Sequence, residues 1–444
     1  MSATATKSGA PGPSEPDEPP ARRGPLAFLG VFGPGLITGA SDDDPSGIAT
    51  YSQAGAQYGY GLEWTLLFSW PLMCAIQEIS ARIGRVTGHG IAGNLARAYP
   101  RSLVLGLVGL VLVANTINLG ADLGAMAAAL QLLIGGPLWL LIAVFAVLSV
   151  ILEVFVSYKR YASILKWLAL SLLAYVAVAF AVKAPWGEVA WNLVAPNMKF
   201  DAGALTVVVA VLGTTISPYL FFWQASEEAE EVEDDPGAEA LRQAPQQAPA
   251  AFMRIRIDTY LGMALSNAVA LFIVIATAAT LHAHGLTNIQ TSSQAAEALK
   301  PVAGPLVFFI FAVGIVGTGL LAVPVLAGSA AYAIGEVFGW KTGLDRKWRQ
   351  AKPFYAVIAV ATLVGGLINF SGLDPIKALF WSAVINGVVA VPVMAMMMHM
   401  SSHRKIMGNF ALSPGLKIAG WLATAVMAAA AIGMFATLTM GAGG

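Results

Sequence analysis

The chain has 444 residues, of which 57% are hydrophobic and 11% charged, and its 25 basic and 25 acidic side chains leave no formal net charge at pH 7. A soluble domain carries roughly 25% charged residues, so this composition excludes a soluble globular protein and indicates a polytopic all-α membrane protein whose first partner is the lipid bilayer. Balanced charge gives nucleic acid no footing, and the single cysteine, Cys74, lies in an apolar run, which excludes disulfide scaffolds and cysteine-rich metal sites.

Residues 1–25 are polar and proline-rich, with no short apolar core and cleavage site, and read as a disordered cytoplasmic tail rather than a signal peptide. Beyond them come apolar runs of the roughly 20 residues needed to cross about 30 Å of hydrocarbon. They fall near 26–58, 61–84, 103–134, 138–156, 161–182, 203–231, 253–282, 304–337, 353–370, 374–398 and 415–439, about eleven spans. Arg82, Arg85, Arg97 and Arg101, then Lys159 and Arg160, Arg254 and Arg256, Arg346, Lys347 and Arg349, and Arg404 and Lys405 all fall on one side if the N-terminus is cytoplasmic. Only Lys183, Lys199, Lys300 and Lys377 then face outward. The basic loops thus put the N-terminus inside and the C-terminus outside, and short loops suit a multi-pass protein of a cell membrane such as a bacterial inner membrane. Residues 183–202 read as an external loop, and 233–251, rich in Ala, Pro and Gln, as a mobile cytoplasmic linker.

Two of the spans are interrupted. In the first, Gly39-Ala40-Ser41-Asp42-Asp43-Asp44-Pro45-Ser46-Gly47 sets three carboxylates and a proline inside an apolar segment. Pro45 lacks an amide hydrogen and disfavours helix at Asp44, so the expected geometry is two half-helices around an unwound break. The carbonyls left unpaired there, at the negative end of the first half-helix, form a nest for a cation beside Asp44. The sixth span breaks at Gly213-Thr214-Thr215-Ile216-Ser217-Pro218-Tyr219. A break at the start of each set of five spans divides the chain into inverted repeats, 26–182 and 203–398, followed by an eleventh span at 415–439, and points to a transporter with a midplane site between discontinuous helices.

Asp44-Pro45-Ser46-Gly47 paired with Thr214-Thr215-Ile216-Ser217-Pro218-Tyr219 resembles the Nramp family of divalent-metal transporters. So do Gly33-Pro34-Gly35 entering the first span and the stretch from Gln77 to Gly88 closing the second. The resemblance implies a leucine-transporter-like fold of eleven spans with alternating access to a divalent metal ion, the cargo, and no cofactor or obligatory protein partner. Members that carry manganese and iron read Asp-Pro-Gly-Asn in the first break and Met-Pro-His in the sixth. Here those Asn, Met and His positions hold Gly47, Ser217 and Tyr219, a pattern similar to the Nramp-related magnesium transporters. Mg²⁺ takes oxygen ligands and keeps its waters, whereas thioether sulfur suits softer metals. The expected site therefore holds a partly hydrated ion through Asp44, carbonyls near Ser41 and Thr214, room left at Gly47, and water held by Ser217 and the Thr214 hydroxyl.

The family's proton route is altered too, since Asp122 is present but Ala125 stands where a Glu completes the pair, and Tyr219 replaces the His. Asp43 is the candidate for a second carboxylate near the ion. Gln224, Glu228 and Glu231 share a helix face below Ser217 and could steer cations at the inner mouth, and Ser382 and Asn386 could add a polar wall from the tenth span. Glu78 and Glu153 are expected to pair with Arg82 and with Lys159 or Arg160, and His282 and His284 to be surface residues. The expectation is an uptake transporter for Mg²⁺, also passing Mn²⁺, not coupled to protons. A proton-coupled Mn²⁺ or Fe²⁺ importer, an amino-acid transporter of the same architecture and a non-transporting metal sensor are the alternatives.

Overall fold

A computed structural model describes residues 38–39, 41–156, 170–182, 184–196, 201–344 and 346–441, and every regular element among them is helical. In chain order the main helices are α1 (Pro45–Tyr58), α2 (Glu63–Thr87), α3 (Ile91–Ala98), α4 (Arg101–Ile134), α5 (Leu138–Phe155), α6 (Leu173–Ala181) and α7 (Trp186–Val194). Then follow α8 (Ala202–Thr215), α9 (Pro218–Asp234), α10 (Ala248–Thr280), α11 (Val307–Phe338), α12 (Lys352–Ile368), α13 (Pro375–Ser402) and α14 (Pro414–Gly441).

Eight segments among the described residues are long and apolar enough to cross a membrane, α8 and α9 counting as one. They match eight of the eleven spans expected from sequence. Of the other three, the first span is described only from Thr38, and the fifth only from Leu170. The second is the 25-residue α2, made more polar by buried Glu63, Gln77, Glu78 and Arg85. The N-terminal tail, Gly33-Pro34-Gly35, Lys159, Arg160, Lys183 and Lys199 lie outside the described residues.

The two interrupted helices sit at the centre. α1 and α8 both pack against α13, α1 also lies along α10, and α9 lies along α2, while α4 joins α11, α12 and α13. Without water to drive apolar faces together, helices in a membrane associate through close backbone approach at small residues. A Cβ added at Gly84 of α2 would collide with the Ala225 carbonyl of α9, one at Gly120 of α4 with the Gly365 carbonyl of α12, and one at Gly213 of α8 would lie 2.7 Å from the Gly387 Cα of α13.

Two segments depart from the sequence expectation. Residues 183–202, read as a loop, contain α7, because Val189 and Leu193 form a one-sided apolar face that packs with Ala179, Ala184 and Ile275. The linker over 233–251, read as mobile, takes a defined path across the end of α2. The Leu241 and Arg242 amides donate to the Arg85 and Val86 carbonyls, each at 3.2 Å, and the Arg85 guanidinium donates to Glu239 O at 2.5 Å and Gln247 Oε1 at 2.8 Å. The carbonyls of the last turn of α2 need donors, and the linker supplies them while burying Leu241 completely.

Overpacking a closed helix crossing costs about 1–3 kcal/mol. Gly84→Val is accordingly expected to lower the melting temperature of the detergent-solubilised protein by several degrees, whereas the same change at Gly106, which has open space around it, is expected to leave it unmoved.

Candidate metal site at the two helix breaks

The first break is shorter than the sequence suggests. Ser41 and Asp42 are still helical, Asp43 bends, and Asp44 is extended at φ −68°, ψ 169°, with Pro45 opening α1. Ser46 and Gly47 therefore belong to the first turn of α1. Proline is compatible with that position because its missing amide hydrogen would have no partner there anyway. Asp44 is the cap: its Oδ1 accepts from the Gly47 amide at 2.7 Å and from the Ser46 hydroxyl at 2.8 Å. Its Oδ2 points away from α1, accepting from Asn118 Nδ2 of α4 at 3.0 Å and from the Tyr219 hydroxyl of α9 at 3.4 Å.

The second break is built alike without a carboxylate. α8 ends at Thr215, Ile216 and Ser217 leave the helical region, and Pro218 opens α9. Ser217 Oγ donates back to the carbonyls of Gly213 and Thr214 at 2.7 and 2.8 Å. The hydroxyl expected to hold water thus closes the end of α8, and the Thr214 carbonyl expected to face an ion is the one it closes. Gly47 sits where α1 passes this break. A Cβ there would lie 3.1 Å from Thr214 Oγ1, 3.3 Å from the Asp42 carbonyl and 3.3 Å from the Tyr51 ring. In this arrangement the missing side chain admits a close crossing rather than an open space.

The neighbouring acids lie buried close to Asp44 without meeting at one point. Asp42 and Asp43 share the Ser266 hydroxyl of α10, at 2.6 and 3.2 Å, and Asp42 Oδ1 has no hydrogen-bond partner. Asp122 of α4 is fully buried, one turn after Asn118, and neither of its carboxylate oxygens has a hydrogen-bond partner. Ser41, Asp42, Asp43, Asp44, Asp122, Thr214, Ser217, Tyr219 and Asn386 are all buried. Among the described residues the ion pairs involve other acids, and none reaches Asp42, Asp43, Asp44 or Asp122. Nor do three His, Cys, Asp or Glu side chains converge on one point. A cation here would meet Asp44 together with neutral oxygen donors. Charges buried without a counter-ion are expensive, and within a membrane protein they mark an ion path.

The remaining sequence candidates are placed as follows. Gln224 and Glu228 are turned to α10: Gln224 donates to Thr259 at 3.0 Å, and Arg254 holds Glu228 at 2.5 Å and Glu231 at 3.2 Å. Arg254 thereby offsets one of the two carboxylate charges on the face expected to draw cations to the inner mouth. Asn386 precedes Gly387, whose backbone meets Gly213 at the second break, and its Oδ1 has no hydrogen-bond partner. Glu78 pairs with Arg82 as expected, and also with Arg256 at 3.5 Å, while the partners expected for Glu153 lie outside the described residues. His282 and His284 are exposed and bonded to backbone carbonyls. Sequence reasoning missed Asn118, although it lies one turn before Asp122 on the same helix face and a polar pair at that spacing was the available signal. It also missed Ser266, which nothing local distinguishes from a helix-bridging serine.

Two interrupted helices that meet around a buried carboxylate define a secondary transporter of the leucine-transporter type. The profile of the natural resistance-associated macrophage protein-like family, Nramp, matches residues 35–437, and the chain belongs to that family. It is 29% identical over 395 residues to the divalent metal cation transporter MntH of Chromohalobacter salexigens, covering 86% of this chain and 85% of that one. Its fold is similar to that of a mutant of the Eremococcus coleocola manganese transporter, at a TM-score of 0.72 and 18% identity over 93% of this chain and 88% of the other. MhsT bound to L-phenylalanine is similar at a TM-score of 0.63 and 14% identity, over 91% and 97% of the two chains. These relatives are transporters, and the chain is a multi-pass membrane transporter rather than an enzyme.

Removing Asn118 takes one of the two donors from Asp44 Oδ2 and leaves the α1 cap intact. Asn118→Leu is expected to weaken divalent-metal binding, measured by calorimetry on purified protein, by about tenfold, the worth of one charge-assisted hydrogen bond.

Proposed function

We propose that this protein carries Mg²⁺, and Mn²⁺ as well, into the cell by alternating access at the two helix breaks, without obligatory proton symport. As a member of the Nramp family it is a divalent metal cation transporter; the finer reading concerns which ion, and how it is driven. One observation carries it: Asp44 is a buried carboxylate whose bonded neighbours are all hydroxyl and amide groups, with no cationic partner among the described residues.

Oxygen donors of this kind suit a hard cation that keeps part of its water shell, and serine, glycine and tyrosine at the positions of the soft or basic ligands remove the preference for softer metals. The 3.4 Å contact from Tyr219 to Asp44 Oδ2 is long for a hydroxyl donor, whose usual separation is about 2.7–2.8 Å. It is the contact an arriving cation would displace, leaving Gly47 and Ser46 to hold the other oxygen. Ser41, at the end of the first half-helix, and the Thr214 hydroxyl, which has no hydrogen-bond partner at the second break, would meet the ion's water, while Ser217 holds the end of α8. Asp43 and Asp122 add negative potential from either side of Asp44.

Proton coupling is unnecessary for accumulation. Moving two charges inward across 100 mV is worth about 4.6 kcal/mol, enough for about a thousandfold concentration ratio. Tyr219 and Ala125 also leave the family's proton route without its histidine and glutamate. This direction of flow rests on the basic loops being cytoplasmic. A second reading, a proton-coupled Mn²⁺ importer, takes its metal from the name of the Eremococcus coleocola manganese transporter and its proton site from the buried carboxylate Asp122. An amino-acid substrate, as in MhsT, is disfavoured because Asp42, Asp43 and Asp44 would repel a carboxylate.

The test is metal influx into liposomes holding the purified protein, at a set voltage, with internal pH recorded. Mg²⁺ influx without acidification is expected, and Asp44→Ala is expected to abolish it. Mn²⁺ influx alone, in step with acidification, would replace this reading by the second. Gly47→Asn together with Ser217→Met is expected to shift competition between Mg²⁺ and Mn²⁺ toward Mn²⁺ by about tenfold or more, the worth of exchanging one ligand of about 1.4 kcal/mol.

A further inference from the structure

At the arginine-rich end of the molecule a cavity of about 770 Å³ opens where the ends of α2 and α13, helix α3, the 233–251 linker and the short helix Arg404–Met407 come together. Its lining includes His89, Arg97, Arg242, His399, His403 and Lys405, and no aspartate or glutamate. In a chain with no net charge, that concentration is local. The contrast lies next door, where a cavity of about 260 Å³ that shares His89 and Arg97 is lined by Glu230, Glu233 and Glu336.

The basic groups are also held in place before any ligand arrives. Tyr99 Oη lies 2.6 Å from His399 Nδ1, and His399 Nε2 lies 3.3 Å from His403 Nε2, one helical turn on. Arg242 Nη1 donates to the Ile406 carbonyl at 3.2 Å, which fixes the guanidinium at the rim and leaves its other nitrogens available. Asn94 Nδ2 is bonded to Thr87 Oγ1 at 2.8 Å and to the Gly90 carbonyl at 2.9 Å, so the α2–α3 corner that carries His89 and Arg97 is itself bonded together. Arginine forks take phosphate oxygens in pairs, an imidazole N–H adds a single donor, and a volume of a few hundred to a thousand Å³ takes a ligand of nucleotide size.

We propose that this cavity is a binding site for a phosphate-bearing anion, either a soluble cytoplasmic polyphosphate such as a nucleoside diphosphate or the phosphate headgroup of an anionic lipid. The inference goes beyond the transport reading and shares with it only the cytoplasmic placement of the basic loops. A ligand seated there would bridge the linker to α2, α3 and α13, adding polar ties to segments that already share the apolar cluster of Val86, Ile91, Leu95, Leu241 and Met398.

The test uses the full chain in detergent, stripped of lipid and with divalent ions chelated, so its outcome is independent of metal transport. Inorganic pyrophosphate and water-soluble dihexanoyl phosphatidylglycerol are titrated separately by calorimetry. Saturable binding of one or both probes is expected, weakened about tenfold or more in Arg242→Gln with Lys405→Gln. Arg349→Gln, an exposed arginine elsewhere on the same end, is expected to bind as the unmodified chain does. Arg242→Lys with Lys405→Arg, which keeps both charges, is expected to recover most of the affinity and separates charge recognition from misfolding. Pyrophosphate binding assigns the site to a soluble phosphate, and binding of the lipid alone assigns it to a headgroup. Absence of saturable binding by both probes, or equal affinity in the neutralised variant, would overturn the proposal.

Discussion

Everything in this molecule depends on how a helix is interrupted where no water can repair the damage. A break in hydrocarbon strands backbone donors on one side and acceptors on the other, and each must find a partner. At the first break Asp44 supplies the acceptor for the start of α1, and in doing so commits one carboxylate oxygen to structure and projects the other across the bundle to α4 and α9. At the second, Ser217 supplies a donor for the carbonyl end of α8. The two solutions are complementary: one break presents negative charge, the other a neutral hydroxyl and a tyrosine, and they share the contact from Tyr219 to Asp44.

The electrostatic consequence follows from the same geometry. Asp42, Asp43, Asp44 and Asp122 are gathered in a low-dielectric interior, where like charges repel strongly. Ser266 and Asn118 soften that repulsion without cancelling it, since neither carries charge. Among the described residues no cationic side chain answers these four carboxyl groups.

Sequence alone revealed the large features because they are written in local chemistry. A proline after an aspartate inside an apolar run marks Asp44, another after a serine marks Ser217, and their separation by five spans marks the repeat. The family resemblance was legible at those same residues. What stayed hidden was set by tertiary contact. Leu241 looks like one apolar residue in a polar linker until the exposed carbonyls of α2 are there to receive it. Glu228 reads as a mouth charge until Arg254 arrives from a helix more than twenty residues later. Ser217 reads as a water ligand until the carbonyls of Gly213 and Thr214 are seen to lie within reach of its own hydroxyl. Asn118 was hidden by its type, since asparagines in membrane helices commonly do no more than tie helices together.

The glycine crossings have a mechanical meaning as well. Where Gly120 meets Gly365 and Gly213 meets Gly387, most of the touching surface is backbone, with Leu119 and Val209 at the margins and Asn369 Nδ2 donating to the Gly120 carbonyl at 2.7 Å. An interlocked crossing must lift its knobs clear before it can slip, and so moves in jumps from one registry to the next. A smooth one behaves as a plain bearing, letting one helix slide or turn on its neighbour while distance and contact hardly change. These close crossings lie on α4 and α8, the helix that carries Asn118 and the helix that ends at the second break, so side-chain bulk is least where the bundle packs nearest Asp44.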